Sequence, residues 1–260
     1  MCLIAWNWQP GSATPLLLLS NRDEFYNRAT EPLHWWNDPS TTSQVLAGRD
    51  GQATGTWLGI SRSGRLAGLT NYRSSVPMRT DVASRGELVA NFLTDDSDAL
   101  TYLQRLAARC SDYNPFNLLV FDGTTLLGLE SRNGIIIAME PGIGAVSNAN
   151  FYTPWPKLTR LTKAFAARLH EGVDDSAQLL SLLYDRTLAE DDELPKTGVS
   201  LALEKALSAT FIVTPNYGTR ACSVVKLHTD HAEFFEESFG EKGLLGTVKK
   251  SFFYRRDGVQ

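Results

Sequence analysis

The sequence predicts an α+β fold, a four-layer αββα sandwich in which two antiparallel sheets lie between helix layers. Three observations predict it. Strand-like runs come in hairpins, each broken by a turn-forming cluster. Helical patterns come in adjacent pairs. The order along the chain is strands, helix pair, strands, helices, strands, which argues against a parallel sheet built from βαβ units.

The elements follow in order. Cys2–Trp8 and Leu16–Phe25 flank Gln9-Pro10-Gly11-Ser12-Ala13-Thr14, so they read as an antiparallel hairpin. An irregular stretch rich in aromatics and prolines runs from Thr30 to Ser43 and contains His34-Trp35-Trp36. A second hairpin follows, Gly55–Ser61 and Arg65–Asn71 around Arg62-Ser63-Gly64. Ser84 and Glu87 have capping-box spacing ahead of Leu88, Val89, Phe92 and Leu93, which predicts a helix. Ser97 or Asp98 caps a second helix carrying Leu100, Leu103, Leu106 and Ala107. Strands return at Phe116–Phe121, Thr125–Ser131, Ile135–Glu140 and Gly144–Asn148. A helical block spans Pro156 to Tyr184, broken near Gly172. The last quarter is β again: Phe211–Thr214, Cys222–His228, Ala232–Ser238 and Lys249–Tyr254.

Composition narrows the function classes. The chain has 260 residues, no linker and no repeat, so one domain over residues 1–260 is expected. Apolar residues make up 43% and charged residues 21%. That balance is ordinary for a protein with a sizeable core. The net charge is −4 and basic residues are dispersed, dense only at Lys249-Lys250 and Arg255-Arg256; no nucleic-acid partner is expected. The longest apolar run, Pro15 to Leu19, is too short for a membrane span, so no stable membrane insertion is expected. The N-terminus has no basic segment and no signal-peptide pattern, and a cytoplasmic location is the expectation. Cys2, Cys110 and Cys222 lack metal-ligand spacing, and the last two are expected to be buried, inert thiols. His228 and His231 flank a Thr-Asp turn as exposed strand ends, away from helical zinc spacing, so no metal is expected.

The candidate chemistry gathers around Cys2. With Met1 removed, Cys2 carries a thiol and a free α-amine, a complete nucleophile–base unit. A hairpin centred near Ser12 sets Cys2 opposite Arg22, and a guanidinium there would depress the thiol pKa. Acyl transfer needs donors at the developing oxyanion, and Asn71 and Asn148 at strand ends are candidates. Each residue also has a plainer reading. From spacing alone, Asn21-Arg22-Asp23-Glu24 reads first as a strand end with a salt bridge, and Asn71 and Asn148 as turn residues.

Taken together, the motifs resemble the NRDE family, also called the transport and Golgi organisation protein 2 family. Cys2, Asn21-Arg22-Asp23-Glu24, Gly48-Arg49-Asp50, Gly55-Thr56-Trp57-Leu58-Gly59 and Leu69-Thr70-Asn71-Tyr72-Arg73 carry the resemblance. Val146-Ser147-Asn148-Ala149 and Tyr217-Gly218-Thr219-Arg220 extend it across nearly the whole chain. The family often continues Gly-Thr-Arg with Ser-Ser-Thr, where this chain has Ala221-Cys222-Ser223. The resemblance implies an N-terminal-nucleophile (Ntn) hydrolase fold of the choloylglycine hydrolase and penicillin V acylase branch. It implies Cys2 as nucleophile and base, Arg22 as thiolate partner and Asp23 as the residue orienting the amine, with Glu24 the alternative. It implies Asn71 as oxyanion donor, Asn148 as a holder of amine or substrate, and Arg220 as a later catalytic arginine. The reaction implied is cleavage or transfer of an acyl group from an amide or thioester. A second implication is non-catalytic: intracellular binding and trafficking of haem or acyl-CoA on the same scaffold. Asn21, Glu24, His34, Trp35, Arg49, Trp57, Tyr72 and Arg73 are the candidate ligand-facing residues in either case. No cofactor is required; haem enters as a bound ligand, and the partner is a small molecule. The sequence carries no signal for an oligomeric state.

Overall fold

Residues 9–14 turn the chain back on itself. Gly11 sits at φ +82°, a conformation that costs glycine little. The turn lets β1 (Cys2–Trp8) pair antiparallel with β2 (Leu16–Phe25). The register sets Cys2 opposite Arg22, as the turn spacing predicts. The computed structural model describes residues 2–36 and 44–254. Met1, residues 37–43 of the aromatic- and proline-rich stretch, and residues 255–260 with Arg255-Arg256 lie outside the described residues.

The first half continues with β3 (Thr30–Trp35), β4 (Val45–Asp50), β5 (Leu58–Ser61), β6 (Leu66–Asn71), α1 (Gly86–Thr94) and α2 (Ala99–Ala107). Then come β7 (Phe116–Phe121), β8 (Leu126–Glu130), β9 (Ile135–Ala138), β10 (Gly142–Val146), α3 (Pro156–His170), α4 (Ser176–Ser181) and α5 (Leu201–Ala206). The chain closes with β11 (Tyr217–Leu227), β12 (His231–Gly240) and β13 (Gly243–Phe253). One sheet has the order β10-β1-β2-β11-β12-β13 and the other β3-β4-β5-β6-β7-β8-β9, both antiparallel.

Side chains alternate across these strands, and the alternation builds the layers. Cys2, Ile4, Trp6 and Trp8 of β1 point into the core between the sheets, with Leu58, Leu66 and Leu119 of the second sheet. Leu3 and Ala5 point the other way, onto Leu158, Leu161 and Phe165 of α3. Leu88, Phe92, Leu103 and Leu106 of α1 and α2 cover the outer face of the second sheet. The result is helix, sheet, sheet, helix. Among the described residues no helix is long and apolar enough to cross a membrane.

Several expectations need correction. The segment from Thr30 is a strand up to Trp35. It lies at a sheet edge, where Pro32 costs no ladder bond. Its register shifts between Glu31 and His34. The sequence pattern does not predict the adjacent β4, because Gly48 interrupts its apolar run. Gly48 is there for space: a Cβ would lie 2.4 Å from the Trp57 indole. No capping box forms at α1. Glu87 instead accepts a bond from the Tyr113 hydroxyl at 2.7 Å. Asp98 is the residue that caps α2, accepting from the Thr101 amide. Phe211–Thr214 is not a strand: only Val213 bridges to Gly218, while Phe211 packs on Phe239. The short helix α5, capped by Ser200, is a further addition to the expected elements. Cys222 is buried and Cys110 only half-buried.

Glu236 of β12 is a carboxylate fixed inside the sandwich. It accepts from the Leu33 amide at 2.8 Å, and burial pushes it up to about 7 against the opposing pull of its hydrogen bonds. The folded state therefore holds its proton more tightly than the unfolded chain does. The associated stability is full below pH about 4.5 and is lost as pH rises through about 7. Glu236→Gln should remove this loss. Urea titrations at pH 4.5 and 8 should show wild type declining relative to the variant by about 3 kcal/mol across that window.

Candidate functional site

Cys2 begins β1 on the face turned toward the second sheet and is buried. Three neighbours fix its surroundings. Arg22 lies across the ladder from it. Ser147, just beyond β10, donates its hydroxyl to the Cys2 carbonyl at 3.1 Å. Asn148 follows, and its side chain accepts from Ser147 and donates to the Asn71 carbonyl at the end of β6, at 2.8 Å. The Arg73 amide in turn donates to the Asn148 carbonyl at 2.7 Å. One chain of hydrogen bonds thus runs from the nucleophile candidate on one sheet to Asn71 on the other. Asn117 of β7 braces it, donating to Thr70 and to the carbonyls of Ser147 and Ala149.

Arg22 is held on three sides. Its Nη2 donates to Asp50 at 2.7 Å, its Nη1 to Thr30 at 3.0 Å, and its guanidinium lies 4.4 Å over the Trp57 ring. Asp50 also accepts from Arg28 and from the Ala53 amide. Burial alone would raise its carboxyl, but these bonds and the Arg22 and Arg28 charges hold it below the usual range. Glu24 adds a second carboxylate at 4.0 Å from Arg22. The guanidinium charge is thus largely answered by carboxylates. This corrects the expected depression of the Cys2 thiol. Burial pushes it up; the N-terminal charge pulls it down first, Asp23 and Glu24 add to the rise, and Arg22 lowers it by less than burial raises it.

Asp23 points to the helix side of β2. Thr219 donates to it at 2.8 Å, and the Tyr217 hydroxyl donates to its backbone carbonyl at 3.0 Å. Burial raises its carboxyl, opposed first by the charge of Lys157. Lys157 of α3 is itself buried, donating to the Leu207 carbonyl, and burial lowers its ammonium to about 8, opposed first by Asp23. Arg73 is buried as well. Its Nη1 meets Glu204 of α5 at 2.5 Å, and its guanidinium lies 4.7 Å over Trp155.

Cys2, Arg22, Asn71 and Asn148 therefore come together, with Glu24 and Trp57 beside Arg22 and Arg73 bonded to Asn148. Asp23 lies on the opposite face of β2, where its charge still acts on Cys2. Other candidates lie elsewhere. Asn21 faces the helix layer, fully buried, and donates to the carbonyls of Leu183 and Thr210, so it does not border the Cys2 face. Arg220 donates to the carbonyls of Phe239, Phe25, Tyr26 and Arg28, pinning the turn after β2. Arg49 bonds the Thr54 carbonyl and covers Trp36. Trp35 packs between Arg62 and Phe252. His34 sits at the surface against Glu31. Tyr72 is half-buried beneath Arg132. Sequence reasoning missed Asp50, Lys157, Glu204 and Ser147. Asp50 and Ser147 left a trace, inside the Gly48-Arg49-Asp50 and Val146-Ser147-Asn148-Ala149 motifs; Lys157 and Glu204 left none.

Two antiparallel sheets between helix layers make the fold seen in Ntn hydrolases. Two solved structures bear this out at the level of fold. Two mutant forms of a conjugated bile acid hydrolase from Clostridium perfringens superpose with TM-scores of 0.52 and 0.50. They are 8% and 9% identical to this chain, and each superposition covers 99% of this chain and 97% of the other. Within that fold the chain belongs to the Transport and Golgi organisation 2 family, whose profile matches residues 1–241. The Transport and Golgi organization protein 2 homolog of Bos taurus is 36% identical over 92% of this chain and 93% of its own length. The Homo sapiens homolog is 33% identical over 94% and 95%, and the Drosophila melanogaster protein 28% over 91% of each.

Proposed function

We propose that the chain is a cysteine acyl-transfer enzyme that acts once Met1 is removed, with an amide or thioester as substrate. One observation carries the reading: Cys2, Arg22, Asn71 and Asn148, from four separate segments, converge at the head of β1. The freed α-amine, with an ordinary pKa of about 7.7–8.0, takes the thiol proton. Cys2 Sγ then attacks the carbonyl carbon and the oxygen takes up the electron pair, met by the Asn71 side chain. Collapse releases the amine or thiol with the proton returned by the ammonium, leaving a thioester on Cys2. Water or another acceptor, deprotonated by the same amine, resolves it. Asp23, whose charge acts on Cys2, is assigned to steady the ammonium, and Asn148 holds Asn71 in place by donating to its carbonyl.

Intact mass spectrometry of protein made in cells is the first test. Loss of the Met1 mass, with turnover of amides or acyl-CoAs, is the expected result. Quantitative retention of Met1 would sink the mechanism.

The buried, neutral Cys2 thiol favours a second reading. With Met1 retained, the same face serves an intracellular carrier of haem or acyl-CoA, in keeping with the cytoplasmic expectation. Saturable binding of either ligand by the Met1-bearing protein, without turnover, selects it.

A further inference from the structure

The other end of the same sheet holds a second polar cluster. The ladders place Trp8 beside Leu16 and Leu16 beside Leu227. The turn joining β11 to β12 therefore lies the length of β1 away from Cys2, about 20 Å at the rise of a strand. The sequence suggests exposed histidines there. In the structure both are partly buried and their rings stack, with centroids 4.1 Å apart and planes 7° off parallel.

Their hydrogen bonds point in one direction. His231 Nδ1 meets the Asp230 carboxylate at 2.7 Å. A carboxylate only accepts, so this nitrogen carries the proton, and in the neutral ring Nε2 is the one with the lone pair. His228 Nδ1 meets the Thr14 hydroxyl at 2.9 Å. His228 Nε2 is buried and has no hydrogen-bond partner among the described residues, with Glu233 Oε1 4.0 Å away. Donor atoms of His228, His231 and Glu233 all lie within 4.8 Å of one another. Two imidazoles each held through Nδ1 by an oxygen, beside one carboxylate, match the way metal-ligating histidines are oriented by their outer partners.

We propose that His228, His231 and Glu233 bind a divalent transition-metal ion of the zinc type at the end of the β11–β12 hairpin. Nitrogen ligands at about 2.0–2.1 Å require the donors to close up, which the half-exposed His231 ring achieves by tilting out of the stack. A water completes the coordination. The ion would fix the β11–β12 turn, to which two other segments are already bonded. The Thr229 amide bonds the Ala13 carbonyl in the first turn, and the Tyr254 amide bonds the Asp230 carbonyl. Its role is therefore to rigidify the β11–β12 turn, which the first turn and Tyr254 already brace, apart from the chemistry at Cys2.

The test is calorimetric titration of the full, metal-stripped chain with zinc chloride, alongside thermal unfolding. One equivalent of zinc should bind at micromolar affinity or tighter and raise the melting temperature. His231→Ala and Glu233→Gln, on the outer side of the cluster, should each weaken binding by about tenfold or more while the apo melting temperature stays close to wild type. Cys2→Ala should bind zinc unchanged, which separates this site from the proposed active site. Cobalt in place of zinc should show no sulfur-to-metal charge transfer. Absence of saturable binding, binding by the two variants equal to wild type, or a thiolate band would each overturn the proposal.

Discussion

Cys2→Ala is expected to lower turnover of any amide or thioester substrate by at least about 10⁴-fold. Removing a covalent nucleophile leaves only binding and oxyanion contacts, and in other enzymes costs of this order or larger follow. Cys2→Ser should fall close to it, because the amine base is tuned to a thiol. Binding of the same substrate should change little, since the Asn71, Asn148 and Arg22 network does not run through the sulfur. Steady-state rates and equilibrium dialysis on the same preparations check both halves. Residual activity within tenfold of wild type would remove Cys2 from the chemistry.

The largest effect on stability is expected at Glu204. This carboxylate, 3% exposed, faces the 4%-exposed Arg73 and also accepts from the Thr197 amide and hydroxyl. Glu204→Ala leaves a buried guanidinium without its counter-charge, a loss of about 3–5 kcal/mol. The melting temperature should fall by roughly 10 °C for a chain of this size. Replacing both partners by methionine should recover most of the loss, because the pair's desolvation cost disappears with it. Chemical denaturation of the two single variants and the double variant tests this. Losses below about 1 kcal/mol, the range of exposed pairs, would show that solvent reaches this one.

Much of this arrangement is legible in the sequence, and the reason is local. A six-residue turn-forming cluster between two apolar runs leaves one hairpin, and a strand's period of two then puts Arg22 across from Cys2. The layer order is likewise written in the grouping of helical and strand patterns. What stays hidden is what comes from distance in the chain. Asp50 meets Arg22 across 28 positions and Glu204 meets Arg73 across 131. No periodicity announces such partners. The sign of the Cys2 perturbation is hidden for the same reason. A guanidinium beside a thiol suggests a thiolate until the burial of that thiol, and the carboxylates of Asp23 and Glu24 near it, are known. β4 is hidden differently: its glycine reads as a break, and only the Trp57 indole explains it.

The position of β2 has a consequence for how the chain is made. It is flanked by β1 from its own hairpin and by β11, so Leu16 waits for Leu227 and Asn21 for Cys222. Until synthesis passes Tyr217, β2 offers a largely apolar strand with one open edge. Ladders this non-local make folding slow and leave the nascent chain prone to association. A premature stop or frameshift ahead of β11 should therefore yield an aggregating product, even though the residues around Cys2 are nearly all present in it.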